Sequence, residues 1–414
     1  MGTLQRIDKF GLGLYLLLCV FAIANIYSVN VNLGEKQLLF FIISLLGGAV
    51  VFVGSGTVYE NFAIIFYAVG MLLLIGLFPF GKEILGQKNW YKFGSFNMQP
   101  VEFAKASTAL MLASYASRAD FDLKNKKTLF TSVLIVSFPA AVVLMIPDAG
   151  SLLVFFSFFI VLYREGLSGW FFVITGILGG VFLVSIFLEI YGLSKYYIIL
   201  PLALFFLLYL FFNVKKISKN LGVISAAAGV VLVLVSLSYL TPMIYKKLPR
   251  HQKQRIEVLI KGEREFRDTS GYNLLYSKTA IGSGGFLGKG FMEGSVTRGK
   301  FVPEQQTDYI FCTVGEEWGF LGSSLLIVGY TLFIGRIYYL AERQKFIFNR
   351  VFGYSFASVL FVHFVINIGM VMGLFPTVGI PLPYFSYGGS SLLAFSLMAA
   401  VFFKLDSLDK DSLI

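Results

Sequence analysis

Twelve times along this chain, an apolar run approaches or exceeds the ~20 residues a helix needs to cross the hydrocarbon core of a bilayer. The runs fall at 10–29, 38–56, 61–80, 101–117, 128–146, 150–164, 168–189, 196–212, 220–240, 319–341, 350–374 and 384–404, the sixth being the shortest. Backbone in lipid must satisfy its own hydrogen bonds, and runs of this length suit helices rather than barrel strands. The chain has 414 residues, of which 57% are hydrophobic and 14% charged, against about 25% charged in a soluble protein. That balance excludes a disordered chain, a disulfide-built secreted module and a cytosolic enzyme. The expectation is an all-α polytopic membrane protein of about twelve transmembrane helices, in a single membrane domain over residues 1–414. Arg6 and Lys9 ahead of the first run, with Ala22-Ile23-Ala24 inside it, imitate a signal peptide. The run is long enough to span and other spans follow, so it reads as a retained first helix.

Lysine and arginine in the short loops set the orientation. With the N-terminus inside, Arg118, Lys124, Lys126, Lys127, Arg164, Lys215, Lys216, Lys219, Arg343 and Lys345 all fall inside. The short outer loops hold Lys36, Lys82, Lys88, Lys92 and Lys195. Both termini are therefore expected to be cytoplasmic. Residues 241–318 form a large outer loop with twelve Lys or Arg and nine Asp or Glu; loops this long escape the charge rule and are usually functional. Cys19 and Cys312 give no sign of an oxidised framework.

Four segments carry polar chemistry. In Gln99-Pro100-Val101-Glu102-Phe103-Ala104-Lys105, proline suits the first turn of a helix, Glu102 sits where the helix dipole favours an anion, and Lys105 follows on the same face. The pair is either an interfacial ion pair that snorkels or a polar site lining an outward-facing cavity. In Phe301-Val302-Pro303-Glu304-Gln305-Gln306-Thr307-Asp308-Tyr309-Ile310-Phe311, polar residues run into an apolar stretch. Asp308 is either a desolvated general base or a helix N-cap. Ala280 through Gly290 is rich in glycine but fits neither dinucleotide nor P-loop spacing. Its glycines suit tight turns near a ligand or a neighbouring helix, with Lys289 a point charge for a phosphate. Pro376 through Ser391, between two apolar helices, is either a plain turn or an ordered irregular connection, which survives at membrane depth only when buried in protein or facing a wet cavity. His363 and Asn367 share a helix face and suit a packing hydrogen bond. No zinc-ligand spacing or serine-nucleophile elbow is present.

Taken together, these segments resemble the SEDS family of bacterial cell-wall polymerases, its RodA branch most closely, with FtsW-like proteins as relatives. The resemblance covers most of the chain. It rests on the Trp90 loop with Gln99 through Lys105, Pro147-Asp148-Ala149-Gly150-Ser151, Tyr272 to Gly290, Pro303 through Phe311, Gly315-Glu316-Glu317-Trp318-Gly319-Phe320-Leu321-Gly322, and Asn367 through Ser391. It implies an inverting peptidoglycan glycosyltransferase that polymerises lipid II, a disaccharide-pentapeptide on undecaprenyl diphosphate, at the outer face of the bacterial cytoplasmic membrane during elongation. It also implies a class B penicillin-binding protein as transpeptidase partner, other elongation-complex membrane proteins, and no nucleic acid.

By this resemblance Asp308 matches the family's essential aspartate and would take the proton from the acceptor hydroxyl. Trp90, Glu102, Lys105, Arg255, Lys289, Glu304, Gln305, Thr307, Ser390 and Ser391 are the candidate substrate-binding residues. Arg255, Lys289 and Lys105 are candidates for the leaving diphosphate, with a divalent cation, magnesium or manganese, compatible beside them. The chain departs from the family pattern at Gln306, where His is frequent, at Asn89, where Arg commonly precedes the tryptophan, and at Val101, where Ser is common. Most members have ten spans, so residues 192–240 read as an inserted helix pair on a ten-helix core. The competing readings are a lipid II flippase and a non-catalytic scaffold for a penicillin-binding protein.

Overall fold

The structure, a computed structural model, describes residues 3–84, 87–94, 96–217 and 221–409. Lys219, among the inside lysines of the topology argument, lies outside these residues, as does the end of the chain after Asp409. The chain divides into two compact units, one of residues 1–167 and 272–414, the other Ser168–Gly271.

In the first unit, α1 (Lys9–Val29) and α2 (Val31–Val53) are separated by a single residue. Asn30 ends one helix and caps the next, its extended backbone turning the chain while its side chain accepts from the Leu33 N–H at 3.3 Å. The short α3 (Thr57–Asn61) precedes α4 (Ala63–Ile75) and α5 (Leu77–Phe80). Strands β1 (Lys82–Ile84), β2 (Gln87–Phe93) and β3 (Phe96–Met98) then form a three-stranded antiparallel sheet, an addition to the all-helical expectation. The unit continues with α6 (Pro100–Ala116), α7 (Lys126–Met145), and two short helices, α8 (Ala149–Phe155) and α9 (Phe158–Arg164). The second unit holds α10 (Trp170–Ile190), α11 (Tyr196–Ile217), α12 (Leu221–Lys247) and the amphipathic α13 (Arg250–Lys261). The first unit resumes with α14 (Tyr272–Ser283), the one-turn α15 (Ser295–Arg298), α16 (Ile310–Glu342), α17 (Ile347–Val371) and α18 (Gly389–Asp409).

Each of the twelve apolar runs lies mainly on helix among the described residues. Among the described residues, nine helices are long and apolar enough to cross a membrane. Two others fall short for separate reasons. Helix α6 has 17 residues and carries a buried Glu and Lys. The sixth run breaks into two seven-residue helices. Burial locates the centre of the first unit. The apolar windows of α17 and α18 are 72% and 83% buried, whereas that of α2 is 17% buried and faces outward. Helix α17 packs on α6 and α16, and α18 packs on α2.

Helix α16 contains a break that explains the glycine-rich segment before it. At Gly319 the backbone is non-helical, with φ 63° and ψ −158°. The bonds that would run from the N–H groups of Phe320 and Leu321 to the carbonyls of Glu316 and Glu317 are lost there. The chain at 285–290 supplies both halves. Lys289 and Gly290 donate to the Glu316 and Glu317 carbonyls at 3.0 Å, while Phe320 and Leu321 donate to the Gly285 and Phe286 carbonyls at 2.9 and 3.0 Å. So this glycine run is a splint for a broken helix, and its glycines serve close approach to a helix rather than to a phosphate. Gly288 has φ +84°, and a Cβ there would lie 2.1 Å from the Glu317 carbonyl oxygen. Gly288→Ala is expected to cost about 1–2 kcal/mol from the left-handed backbone alone, plus the cost of moving backbone that no side-chain rotation can relieve. Gly282, with open space at its Cβ position, is the control: Gly282→Ala should melt at or above the parent temperature, and Gly288→Ala well below it.

Candidate active site

The first two turns of α6 carry two fully buried charges. Pro100 opens the helix at its first position, where the N–H it lacks has no intrahelical partner in any case. Glu102 and Lys105 then project from the same face into the protein. Lys105 is 0% and Glu102 1% exposed, and Lys105 Nζ donates to Glu102 Oε1 at 2.8 Å. The snorkelling alternative is thereby removed: neither side chain reaches an interface.

The partner that sequence spacing did not identify is His363 on α17. Its Nε2 lies 2.8 Å from Lys105 Nζ, and its Nδ1 lies 2.9 Å from the Pro381 carbonyl. An ammonium has only donors, so Nε2 must accept; a carbonyl only accepts, so Nδ1 must carry the proton. The geometry thus assigns a neutral His363 in the Nδ1–H tautomer. The expected His363–Asn367 packing bond is not what forms. Each residue reaches instead for the irregular segment before α18, and Asn367 Nδ2 donates to the Ile380 carbonyl at 2.7 Å and the Asp308 carbonyl at 2.9 Å.

That segment, residues 372–388, is an ordered connection and not a plain turn. Ile380, Leu382, Tyr384 and Phe385 are all buried. The Tyr330 hydroxyl donates to the Pro383 carbonyl, and the Ser386 hydroxyl donates to the Thr307 carbonyl at 2.6 Å. Tyr387 N–H donates to the Gln306 carbonyl at 2.8 Å, and burial holds its phenol above the ordinary value, keeping it protonated. The turn Gln306–Asp308 is therefore held against this segment at two successive carbonyls.

Asp308 lies half-buried just before α16. The N-cap position belongs to Tyr309, which makes no side-chain cap bond. One carboxylate oxygen of Asp308, Oδ2, stands 3.2 Å from where a Cβ on Gly379 would be, and Gly379 has φ +71°. A side chain at 379 would be both strained and pressed against the carboxylate, so glycine keeps the approach to Asp308 open. Asp308 and the Glu102–Lys105–His363 cluster meet through short links: Asn367 holds the Asp308 backbone, and His363, one turn away on the same helix, holds Pro381 and Lys105.

The remaining candidates separate into those near this centre and those engaged elsewhere. Glu304 accepts from the Thr307 hydroxyl at 3.0 Å. Gln305 is buried and donates to the Thr297 carbonyl at 2.8 Å. Ser390 donates to the Asn97 carbonyl at 2.7 Å and accepts from the Gln99 N–H at 3.1 Å, pinning β3 and the entry to α6 against the start of α18. Ser391 follows it in buried surroundings. Trp90 is half-buried on β2, paired in register with Lys82. Arg255 lies on α13 of the other unit.

Lys289 is paired within the protein. It is not an open point charge, because its Nζ donates to Glu316 Oε1 at 2.7 Å and to the Ser295 hydroxyl at 2.8 Å. The same carboxylate takes the N–H groups of Val296 and Thr297 at 2.9 and 2.8 Å, so Lys289 balances a buried anion that anchors α15. A structural pairing not anticipated from the sequence joins Asp148 and Asn89. Asp148 caps α8 by accepting from the Ser151 N–H at 2.9 Å, and Asn89 Nδ2 donates to it at 3.2 Å, tying the sheet to that helix. Among the described residues, no three His, Cys, Asp or Glu side chains group closely enough to hold a metal ion.

The family described as cell cycle proteins of the FtsW, RodA and SpoVE type matches residues 6–199 and 198–410. The peptidoglycan glycosyltransferase MrdB of Escherichia coli K12 is 32% identical over 337 residues, 81% of this chain and 75% of the relative. The peptidoglycan glycosyltransferase RodA of Treponema pallidum is 29% identical over 352 residues, 81% of this chain and 80% of the relative. Among solved structures, a chain of a peptidoglycan synthase complex described as coordinating polymerization and crosslinking superposes with TM-score 0.70 at 22% identity, covering 98% of both chains. The crystal structure of Thermus thermophilus RodA, a rod shape determining protein, gives TM-score 0.59 at 21% identity, covering 97% of this chain and 96% of the other.

Proposed function

The chain belongs to the FtsW/RodA/SpoVE family of cell cycle proteins and is a multi-pass membrane peptidoglycan glycosyltransferase of the elongation type, and on that premise we propose that it polymerises lipid II with Asp308 as general base. The observation that carries this reading is the Asp308 carboxylate, held beside Gly379 by a backbone clamp and linked through Asn367 to the buried Glu102–Lys105–His363 cluster. The base takes the proton of the acceptor 4-hydroxyl, and that oxygen attacks the anomeric carbon of the donor sugar. The bond to the diphosphate breaks, and attack from the opposite face converts an α-linked donor into a β-1,4 link. A base in this position must sit within hydrogen-bond reach of the hydroxyl it activates, which favours a carboxylate on a rigid segment over one on a mobile loop.

The departing diphosphate needs compensating charge. Of the three cations that the resemblance offers, Lys105 and Lys289 each pair with a carboxylate in their own unit, and Arg255 belongs to the unit Ser168–Gly271. A magnesium or manganese ion is also part of this proposal. Such ions are commonly held by one or two carboxylates together with substrate phosphates, and Glu304 is the carboxylate on the Asp308 segment that would hold it, neutralising phosphate charge.

The bacterial cytoplasmic membrane, with both termini inside and the reaction at its outer face, is the proposed setting. A class B penicillin-binding protein is the proposed partner, supported by the fold shared with a chain of the synthase complex. Purified protein given lipid II in detergent should produce glycan strands without any added partner. A protein that moves lipid II across vesicles but forms no strands would refute the reading in favour of a flippase. One that neither forms strands nor moves lipid II, yet stimulates the partner's transpeptidase, would reduce it to a scaffold.

A further inference from the structure

The unit Ser168–Gly271 contains a cavity that the reaction does not use. It measures about 370 Å³ and lies between α10, the start of α11 and α12, within the roughly 300–1,000 Å³ typical of small-molecule sites. Its charged residues sit at helix ends. Glu189 is next to last in α10, Lys195 lies in the turn before α11, and Lys246 is next to last in α12. Where spanning helices end, a bilayer presents its headgroups. One turn deeper on α10 and two turns deeper on α12 the lining becomes Ser185 and Ser238, both buried. Pro242 has no N–H for the Ser238 carbonyl four residues earlier, so that carbonyl lacks its helical donor. Leu188, Ile198 and Met243 complete an apolar wall.

The rim charges are unequal. Lys246 Nζ is 2.9 Å from Glu189 Oε1, which balances one cation. Lys195 has no carboxylate partner among the described residues; its Nζ stands 3.5 Å from the centroid of the Tyr239 ring. The ring attracts the cation without neutralising it, so the rim keeps a net charge of one positive. A cationic rim at headgroup level, an apolar wall and a small polar floor match an amphiphile with an anionic headgroup. We propose that this cavity binds the phosphodiester headgroup of an anionic membrane lipid, with Lys195 as the principal contact, making the helix group around 192–240 a lipid-reading element. The site lies wholly within its own unit and depends on no assignment made for Asp308.

The test uses the full chain, purified and incubated with vesicles of equimolar phosphatidylglycerol and phosphatidylcholine, with retained lipid counted by native mass spectrometry. The parent should retain phosphatidylglycerol preferentially. Lys195→Gln should reduce that preference about fivefold, the usual weight of one lysine near an anionic membrane surface. Ser238→Phe, which fills the cavity without touching a charge, should reduce retention of the same lipid. Melting in phosphatidylcholine alone checks that each variant is folded. Equal retention of the two lipids by the parent, or a preference unmoved by Lys195→Gln, would overturn the proposal. Displacement of phosphatidylglycerol by millimolar inorganic phosphate would also overturn it, since the occupant would then be a bare anion.

Discussion

Asp308→Asn is expected to lose glycan polymerisation by at least about 10²-fold, since a positioned general base typically contributes about 10²–10⁴-fold. The substitution keeps the size of the side chain and its capacity for hydrogen bonds, but an amide cannot accept the acceptor hydroxyl's proton. What surrounds the residue predicts that folding survives. The clamps on this segment are made to its backbone carbonyls: Asn367 Nδ2 donates to that of Asp308, the Ser386 hydroxyl to that of Thr307 and the Tyr387 N–H to that of Gln306. None of these requires a carboxylate. The structure also sharpens the alternative in which Asp308 is a helix cap. The cap position is Tyr309, so Asp308→Ala should lose activity as Asp308→Asn does. The measurement is strand formation from lipid II by purified variants, with thermal stability recorded on the same samples. Near-parent activity in Asp308→Asn would remove the residue from the mechanism. Loss of activity together with a large fall in melting temperature would make its role structural.

A parallel substitution probes the approach to that carboxylate. A side chain at Gly379 would need a left-handed backbone and would start 3.2 Å from Asp308 Oδ2. Activity lost at Gly379 and at Asp308 alike, with the chain still folded, fits a shared catalytic space.

What could be read before folding was known depended on whether the signal was local. The helices announce themselves because each apolar run carries its own length and hydropathy. Glu102 and Lys105 could be paired because three residues on a helix bring side chains to one face, and Asp308 stood out as an acid directly before an apolar stretch. The third member of the buried cluster had no local signal. His363 lies 258 positions from Lys105, and only the packing of α17 on α6 joins them. Lys289 misled for the same reason. A lysine among glycines resembles a phosphate ligand until the fold brings Glu316 to it from the other side of the helix break. The break itself falls where the apolar run begins at residue 319, so hydropathy marked the place but took a kinked helix for the end of a loop. The sheet over 82–98 was hidden by its brevity, with strands of three, seven and three residues.

The buried cluster gives the second large effect. Glu102, Lys105 and His363 share almost no water, and Glu102 Oε2 finds no hydrogen-bond partner among the described residues. Removing one member of a buried ion pair leaves the other charge uncompensated, at a cost of about 3–5 kcal/mol. Glu102→Gln should therefore lower stability sharply, because Lys105 then keeps only neutral partners, and Lys105→Met should do so by stranding the carboxylate. The double variant removes both charges and should cost less than the sum of the two, with a coupling energy at the upper end of the roughly 0.5–3 kcal/mol found for contacting residues. His363 separates a charge effect from a positional one. His363→Leu removes the acceptor for Lys105 and the donor to Pro381, so it should disturb the segment holding Gly379 as well as the lysine. In a Lys105→Met background part of that penalty is already present, and the further cost should fall to what the Pro381 bond contributes. Thermal denaturation and strand formation across this set of variants would measure both quantities. Strict additivity of Glu102→Gln and Lys105→Met would mean the two charges act apart despite their 2.8 Å separation, with the lysine's role then lying outside the pair.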